Sequence, residues 1–288
     1  MSVSAVLGDR RIAQTPAGSI EYRERGSGSP VVFVHGVGVN GDLWRHVAPR
    51  LADEHRCIVP DLPWGAHSHP LREDADLSLP GMARIVADFM AALELDDVTI
   101  VANDTGGAVA QSLAGRHPRH IGRLVLTSCD AFEKFPPTPQ RYLEFTARSR
   151  ALMWFVAWSV QFKFVQRLPT AYGWTTTRPI EPAIMRSYTA PVRTDPGVRR
   201  DLTRLLRAVD TRFTHEAAEA LRGFDRPALV LWADRDKIFP REHGRRLAEL
   251  LPHGRFELVP DSRTFIPEEQ PEYLAARVRD FAAERDHG

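Results

Sequence analysis

One stretch of the chain, residues 98–107, restricts the fold more than any other part of the sequence. It reads Val-Thr-Ile-Val-Ala-Asn-Asp-Thr-Gly-Gly, a continuous apolar run that breaks into small and polar residues where a helical pattern begins. A strand that is apolar on both faces is typical of a parallel sheet covered by helices on each side. The turn after it is typical of a sharp elbow, which lifts the side chain of Asp104 above the carboxyl edge of the sheet.

Strand and helix patterns alternate along most of the remaining chain. Strands are predicted near 11–15, 19–25, 30–36, 56–60, 98–102, 124–127, 228–233 and 256–259. Helices are predicted from about Asp42 and over 79–95, 106–116, 242–251 and 271–284. This alternation predicts right-handed βαβ crossovers and therefore an α/β fold with a doubly wound, mostly parallel sheet.

The alternation stops between about Ala131 and Asp225. A helical, aromatic-rich stretch punctuated by prolines takes its place. We therefore predict a core made of residues 1–130 and 226–288, with a helical cap, residues 131–225, inserted after the sixth strand. Trp154 and Trp158 of this cap are candidate substrate contacts, although aromatic residues on helices over a sheet also serve as buried packing groups.

Composition excludes several classes of partner. The 288 residues include 38 basic and 37 acidic side chains that are interspersed, which argues against nucleic acid and against an anionic membrane surface as partners. The longest uncharged apolar segment, 151–162, is too short to span a bilayer, and the N-terminal apolar stretch is too short for a signal peptide. A cytoplasmic protein with reduced, buried Cys57 and Cys129 is expected. The oligomeric state stays open, with a homodimer as one alternative.

The order and spacing of short motifs resemble the α/β-hydrolase superfamily over nearly the full chain. Residues 35–38 and 43–45 resemble its oxyanion loop, 61–68 its Asp-x-Pro-Gly-x-Gly-x-Ser loop, 103–107 its nucleophile elbow, 233–236 the loop of its acid, and 268–271 the start of its last helix. In the second motif Trp64 replaces a glycine, which predicts a narrowed or roofed pocket entrance. Trp44 is expected to pack at the base of the pocket, and His35 to support the oxyanion loop by hydrogen bonding. Together with Trp64 they are also candidate substrate contacts.

An aspartate at the elbow is similar to the branch that contains epoxide hydrolases and haloalkane dehalogenases. The resemblance implies that the Asp104 carboxylate attacks carbon and forms an ester, while the backbone amides of Val37 and Thr105 stabilise negative charge. A helix N-cap is the structural alternative for this residue. The helix after Asp104 favours its ionised form, whereas desolvation raises its pKa, and the sequence leaves that balance open.

Several positions depart from this branch. Dehalogenases carry a halide-binding tryptophan directly after the nucleophile, and here that position is Thr105, so dehalogenation is disfavoured. Epoxide hydrolases use cap tyrosines to activate the epoxide oxygen. Tyr142, Tyr172 and Tyr188 are candidates for that role, and their spacing selects none of them.

The most consequential departure is Thr264. It occupies the position after the last strand where the resemblance implies a histidine that activates water, and a hydroxyl group is not basic enough to replace it. Thr264 is thus either a catalytic hydroxyl or a structural group in the pocket wall. Asp236 is the expected acid, and Asp130, just after the preceding strand, is an alternative acid.

Three hypotheses follow. The first is an α/β-hydrolase-fold enzyme that uses Asp104 on a hydrophobic, aromatic or polycyclic small molecule for a non-hydrolytic step, such as epoxide opening, cyclisation, elimination or carbon–carbon bond formation. The second is an epoxide or ester hydrolase with a substitute base, such as Asp236 or Asp130. The third is a ligand-binding protein without catalysis. The sequence lacks metal-ligand clusters, phosphate-binding loops and dinucleotide motifs, so no cofactor and no metal are expected.

Overall fold

The described part of the chain, residues 2–284 of a computed structural model, forms one eight-stranded sheet. Residue 1 and residues 285–288, at the two ends of the predicted core segments, lie outside it. The strands are β1 (Asp9–Thr15), β2 (Gly18–Arg25), β3 (Ser29–Val34), β4 (His55–Pro60), β5 (Val98–Asp104), β6 (Ile121–Cys129), β7 (Ala228–Ala233) and β8 (Gly254–Val259). Their order is β1-β2-β4-β3-β5-β6-β7-β8. The pairs from β4 to β8 are parallel, and β2 pairs antiparallel with both of its neighbours, which confirms the predicted mostly parallel sheet.

Helices cover both faces of this sheet. They are α1 (Ala48–Leu51), α2 (Leu79–Ala92), α3 (Thr105–Arg116), α4 (Tyr142–Thr146), α5 (Arg150–Ser159), α6 (Lys163–Gln166), α7 (Pro182–Thr194), α8 (Pro196–Arg207), α9 (Thr211–Ala220), α10 (Arg241–Leu250), α11 (Ile266–Glu269) and α12 (Pro271–Ala283). In β3, Val32 and Val34 belong to the apolar layer under α2 and α3, while Val31 and Phe33 belong to the layer under α1 and α12. Because successive strand residues point to opposite faces, an unbroken apolar strand supplies both layers.

One predicted helix is wrong in its extent. The helix expected from about Asp42 is divided into a short 3-10 helix, Gly41–Trp44, and the one-turn helix α1. The side chain of Asn40 accepts a hydrogen bond from the amide of Asp42 and starts the first piece. Pro49 has no amide hydrogen to donate to the carbonyl oxygen of Arg45, and its ring would clash with that carbonyl in a regular helix, so one helix cannot run from Asp42 through Pro49.

Helices α4 to α9 lie between β6 and β7, where the alternation of strands and helices stops. We call residues 131–225 the insert. Its last helix, α9, packs against α3 of the core, whereas α5, α7 and α8 pack against one another. Cys57 and Cys129 are buried free thiols, as expected. Within residues 2–284, no helix has both the length and the apolar character needed to cross a membrane.

The parallel strands bring five separated residues to one edge of the sheet. Val37 follows β3, Asp104 ends β5, Asp130 follows β6, Asp236 follows β7 and Thr264 follows β8. Since the carboxyl ends of parallel strands meet at the same edge, all the predicted catalytic and oxyanion residues are placed near that edge.

Candidate active site

The elbow at the end of β5 holds Asp104 in a strained backbone conformation. Its φ is 57° and its ψ is −135°, outside the regions that non-glycine residues usually occupy. The side chain of Asp104 makes no capping hydrogen bond to α3, so the N-cap alternative has no support in the geometry. A Cβ atom at Gly106 would lie 2.4 Å from the Val34 carbonyl oxygen, and one at Gly107 would lie 2.2 Å from Cβ of Cys129. Both glycines are therefore required for the close approach of α3 to the sheet.

Gly36 likewise allows a close approach, here between the loop after β3 and the Asp104 carboxylate. A Cβ atom there would lie 2.1 Å from Oδ2 of Asp104. We expect Gly36→Ala to displace the carboxylate and to lower the free energy of unfolding by ~1–3 kcal/mol through overpacking. Urea unfolding measures the change. Gly223→Ala is the matched control because an added Cβ there meets no atom within 4 Å, and equal stability of both variants would contradict this account of the elbow.

A cavity of about 180 Å³ opens beside Asp104, between the sheet edge and the insert. The core contributes Val37, Gly38, Thr105, Ile238 and Phe265 to its wall. The insert contributes mainly apolar side chains, among them Phe135, Met153, Val156, Val160, Leu205 and Leu206. A small number of polar groups in an otherwise apolar cavity is typical of a site for a hydrophobic small molecule.

Burial sets the ionisation of Asp104. Desolvation raises its pKa to about 7, the adjacent Thr105 amide opposes this increase, and the nearby Asp236 carboxylate adds to it. Of the two opposing effects that the sequence leaves open, desolvation is the larger here. Near neutral pH the carboxyl group of Asp104 is therefore present in both its neutral and its ionised form.

Asp130 lies behind the cavity wall. Its Oδ2 accepts a hydrogen bond of 2.8 Å from the Thr105 hydroxyl, and its Oδ1 is buried without a hydrogen-bond partner in the described chain. Desolvation and the Asp104 charge raise the pKa of Asp130 well above its ordinary value. Asp130 does not line the cavity. Its carboxyl group thus holds Thr105 in place from outside the cavity.

Asp236 and Thr264 contact each other directly. Oδ1 of Asp236 accepts hydrogen bonds from the amides of Ile238 (2.8 Å) and Phe239 (2.9 Å) and from the Thr264 hydroxyl (3.0 Å). Burial raises the pKa of Asp236, and these hydrogen bonds oppose the increase. Thr264 is fully buried, so its hydroxyl is committed to the carboxylate. Asp236 thus has the position of an acid that orients a neighbour, but the neighbour is a hydroxyl group.

The backbone between Thr264 and the elbow is linked by a buried amide. The side chain of Asn103, directly before Asp104, donates a hydrogen bond of 2.8 Å to the Thr264 carbonyl oxygen. It donates a second one, of 3.0 Å, to the hydroxyl of Thr127. The loop that follows β8 is therefore fixed in its position relative to Asp104.

The oxyanion loop is held by groups from the core and from the insert. The amide of Gly38 donates to the carbonyl oxygen of Trp64 at 2.9 Å. The hydroxyl of Tyr172 in the insert donates to the carbonyl oxygen of Gly38 at 2.6 Å. Gly38 has a φ of 75°, which favours glycine. Val37, whose amide is the expected oxyanion donor, directly precedes Gly38 and lines the cavity.

Three residues predicted as substrate contacts belong to the packed interior instead. Trp44 is fully buried against Phe33, with ring centroids 5.1 Å apart. Trp64 is fully buried against His35, with ring centroids 5.4 Å apart. His35 accepts a hydrogen bond from the Leu62 amide on Nε2 and donates from Nδ1 to the Gly36 carbonyl oxygen, and burial lowers its pKa to about 3. None of the three lines the cavity, and His35 supports the loop as a neutral ring.

Helix α5 explains why Trp154 and Trp158 are also outside the cavity. Met153, Val156, Ala157 and Val160 line it, at the spacing of one face of a helix. The two tryptophans lie on another face and are 52% and 40% exposed. Sequence analysis missed the cavity-facing residues because both faces of α5 are apolar. The helical spacing of the apolar residues from Met153 to Val160 was the sequence signal that could have identified the cavity-facing side.

The apolar residues that line the cavity suit an organic molecule, and the described residues show no evident metal centre. Within residues 2–284, no three His, Cys, Asp or Glu side chains are arranged to hold a metal ion.

A mostly parallel sheet with a strained elbow at its carboxyl edge, and with a helical insert beside that elbow, defines the α/β-hydrolase-fold class. The chain belongs to the α/β hydrolase fold family, which matches residues 29–172.

Similar proteins include enzymes with different chemistries. A cis-3-alkyl-4-alkyloxetan-2-one decarboxylase from Xanthomonas campestris pv. campestris is 27% identical over 299 residues, covering 94% of this chain and 95% of that protein. A haloalkane dehalogenase from Agrobacterium fabrum is 28% identical over 270 residues, covering 88% and 84%. An α/β hydrolase fold protein from Burkholderia ambifaria has the same fold, with a TM-score of 0.76, 23% identity and coverage of 95% and 97%.

Proposed function

We propose that this enzyme converts a hydrophobic small molecule through Asp104 without consuming water. The observation that carries the proposal is the pair formed by Asp236 and Thr264, in which a buried hydroxyl stands beside the acid where hydrolysis requires a base. An ester formed on Asp104 would lack a partner that activates water. Turnover then requires an intermediate whose ester bond to Asp104 breaks without attack by water.

Elimination from a strained lactone ring is a reaction of this kind. In a β-lactone, the ionised Asp104 carboxylate attacks ring carbon 4, and the bond from that carbon to the ring oxygen breaks to leave a carboxylate. The bond between ring carbon 3 and this carboxylate then breaks, its electron pair forms the alkene, and the ester bond to Asp104 breaks. Carbon dioxide and an alkene leave, and the Asp104 carboxylate is restored without a proton or a water molecule.

Two features support this route for the present chain. The alkyl-substituted oxetanone named for the Xanthomonas campestris relative is a β-lactone, and that relative matches the chain over 94% of its length. Val37 and Thr105 line the cavity beside Asp104, where their amides would stabilise the carboxylate released on ring opening. The apolar residues of the insert suit alkyl or aryl substituents.

A second candidate function uses Asp104 as an acid. Its pKa of about 7 supports proton transfer near neutral pH, for example to the oxygen of an epoxide that then rearranges or cyclises. The two roles require opposite ionisation. As pH rises through about 7, the rate increases if the carboxylate is the nucleophile and decreases if the neutral acid donates a proton.

The test is conversion of cis-3,4-dialkyl β-lactones in water enriched in oxygen-18. We expect alkene and carbon dioxide, no oxygen-18 in the organic product, a rate that rises through pH 7, and a loss of ~10⁴-fold or more in Asp104→Asn. A β-hydroxy acid that carries oxygen-18 would indicate hydrolysis. In that case, loss of its formation in Asp236→Asn or Asp130→Asn would identify the substitute base.

Two other outcomes would assign a different function. Conversion of epoxides, but not of lactones, at a rate that falls through pH 7 would select the acid role of Asp104. Tight binding of these compounds, unchanged in Asp104→Asn and without any product, would instead identify a ligand-binding protein.

A further inference from the structure

The insert carries most of the large hydrophobic residues that are exposed in the described chain. Nine of the twelve large hydrophobic residues that are exposed lie between residues 142 and 168. Five of them form what we call the aromatic face: Trp154, Phe155, Trp158, Phe162 and Phe164. Single exposed apolar side chains are normal in proteins, but a contiguous patch of them marks a surface that binds something.

The rings of the aromatic face contact one another in sequence. The ring centroids of Trp154 and Trp158 are 6.4 Å apart, those of Trp158 and Phe162 are 4.9 Å apart, and those of Phe162 and Phe164 are 5.9 Å apart. Phe164, the most exposed of the five, is 69% exposed. The face therefore runs continuously from α5 to α6 on the outside of the insert.

The segment of sequence that carries this face has basic side chains and no acidic ones. Residues 145–180 contain no Asp or Glu, although the whole chain has almost equal numbers of acids and bases. The basic residues of this segment are Arg148, Arg150, Lys163, Arg167 and Arg178, and all five are exposed. We call these five residues the basic rim. Within residues 2–284 none of these five side chains has an ion-pair partner. The interspersed charge that argues against membrane contact for the whole chain is thus absent from this segment.

We propose that the aromatic face and its basic rim dock the enzyme on the surface of an anionic lipid bilayer. Tryptophan and phenylalanine insert at the level of the lipid headgroups, and arginine and lysine beside them attract anionic headgroups. A second copy of the chain fits this surface poorly. A two-fold contact through the same patch would bring the basic side chains beside the aromatic rings, Arg150 and Lys163 among them, toward those of the second copy.

The position of the face connects the bilayer to the cavity. Helix α5 presents Trp154, Phe155 and Trp158 outward, while its Met153 and Val156 line the cavity. One helix therefore separates the docking surface from the space beside Asp104. The docking itself involves none of the residues assigned to the reaction, so it is tested separately from catalysis.

The experiment is co-sedimentation of the full chain with phosphatidylcholine vesicles that contain or lack phosphatidylglycerol. We expect wild-type protein to pellet with the anionic vesicles and to be released by salt. Trp154→Ser combined with Phe164→Ser is expected to lower the partition coefficient at least about tenfold, since both side chains are exposed in the unbound protein. Arg148→Gln with Lys163→Gln is expected to lower it by about fivefold per cation on anionic vesicles.

Ile12→Ser is the matched control, because Ile12 is 52% exposed on β1, outside the insert. It should bind as wild type does, and thermal unfolding should show that every variant is folded. Failure of the wild type to pellet, or equal binding by the folded Trp154→Ser/Phe164→Ser variant, would overturn the proposal. Light scattering of the protein without lipid tests the alternative that the aromatic face joins two copies of the chain. A dimer that this variant converts to monomers would show that the face joins two copies, which also overturns membrane docking.

Discussion

Thr264→Ηis is expected to give the enzyme sustained hydrolytic turnover of a small epoxide such as styrene oxide. In the wild type, we expect the Asp104 carboxylate to open the epoxide and the resulting ester to persist, because the Thr264 hydroxyl bound to Asp236 cannot activate water. A histidine at this position would have its orienting acid already present, since Asp236 contacts the Thr264 hydroxyl at 3.0 Å. General base catalysis contributes ~10²- to 10⁴-fold, which is the gain we expect in the rate of ester hydrolysis.

Intact-protein mass spectrometry and product analysis measure this change. Wild type should stop after one equivalent with an adduct on Asp104, and the histidine variant should form diol repeatedly. Thr264→Asn is the matched control, because asparagine adds similar bulk to the fully buried site without a basic nitrogen. Adding Asp236→Asn to the histidine variant should remove most of the gain. A histidine variant that is folded and alkylated, yet turns over no faster than the asparagine variant, would contradict the role assigned to position 264.

Asp104→Asn is expected to abolish turnover and to stabilise the fold at neutral and higher pH. Burial raises the pKa of Asp104 from 3.8 to about 7, so the folded state holds its proton over a pH range in which the unfolded state has lost it. The contribution of Asp104 to stability is therefore most favourable below about pH 4, declines as pH rises, and reaches its minimum above about pH 7. One pKa unit corresponds to about 1.4 kcal/mol, so the full effect is on the order of 4 kcal/mol.

Urea unfolding of the wild type and of Asp104→Asn between pH 4 and 8 tests this. The difference in free energy of unfolding should be small at the acidic end, grow with pH and level off above pH 7. Asparagine retains the tolerance for positive φ that the elbow requires, so backbone strain is nearly unchanged. Asp53→Asn, at an exposed position, is the matched control for replacing an aspartate with asparagine. A difference that is independent of pH would contradict the raised pKa.

The parts of the fold that depend on local pattern were predictable. The apolar run of β5 and the glycine pair after Asp104 identify a buried strand and an elbow because each feature satisfies a short-range steric requirement. The placement of Asp130 and Asp236 follows from parallel strands, whose carboxyl ends share one edge. Pro49, which interrupts the helix expected from Asp42, is also visible in the sequence, but the prediction did not take it into account.

The composition of the cavity wall was less predictable because it depends on which face of a helix is turned inward. Helix α5 is apolar all round, so hydrophobicity alone did not distinguish Met153 and Val156, which line the cavity, from Trp154 and Trp158, which face outward. Trp64 replaces a glycine in a motif, and the sequence did not show that its ring packs against His35 instead of facing the cavity.

The hydrogen bond from Tyr172 to the Gly38 carbonyl oxygen limits how the two parts of this protein can be recombined. It joins residues 134 positions apart, one in the insert and one in the loop that carries Val37, the proposed oxyanion donor. An insert transplanted from another family member would bring its own specificity, but it would leave this carbonyl without its donor unless a hydroxyl were supplied at the same place. Substrate range and oxyanion geometry are therefore inherited together, and a chimeric enzyme has to preserve this contact to keep a working loop.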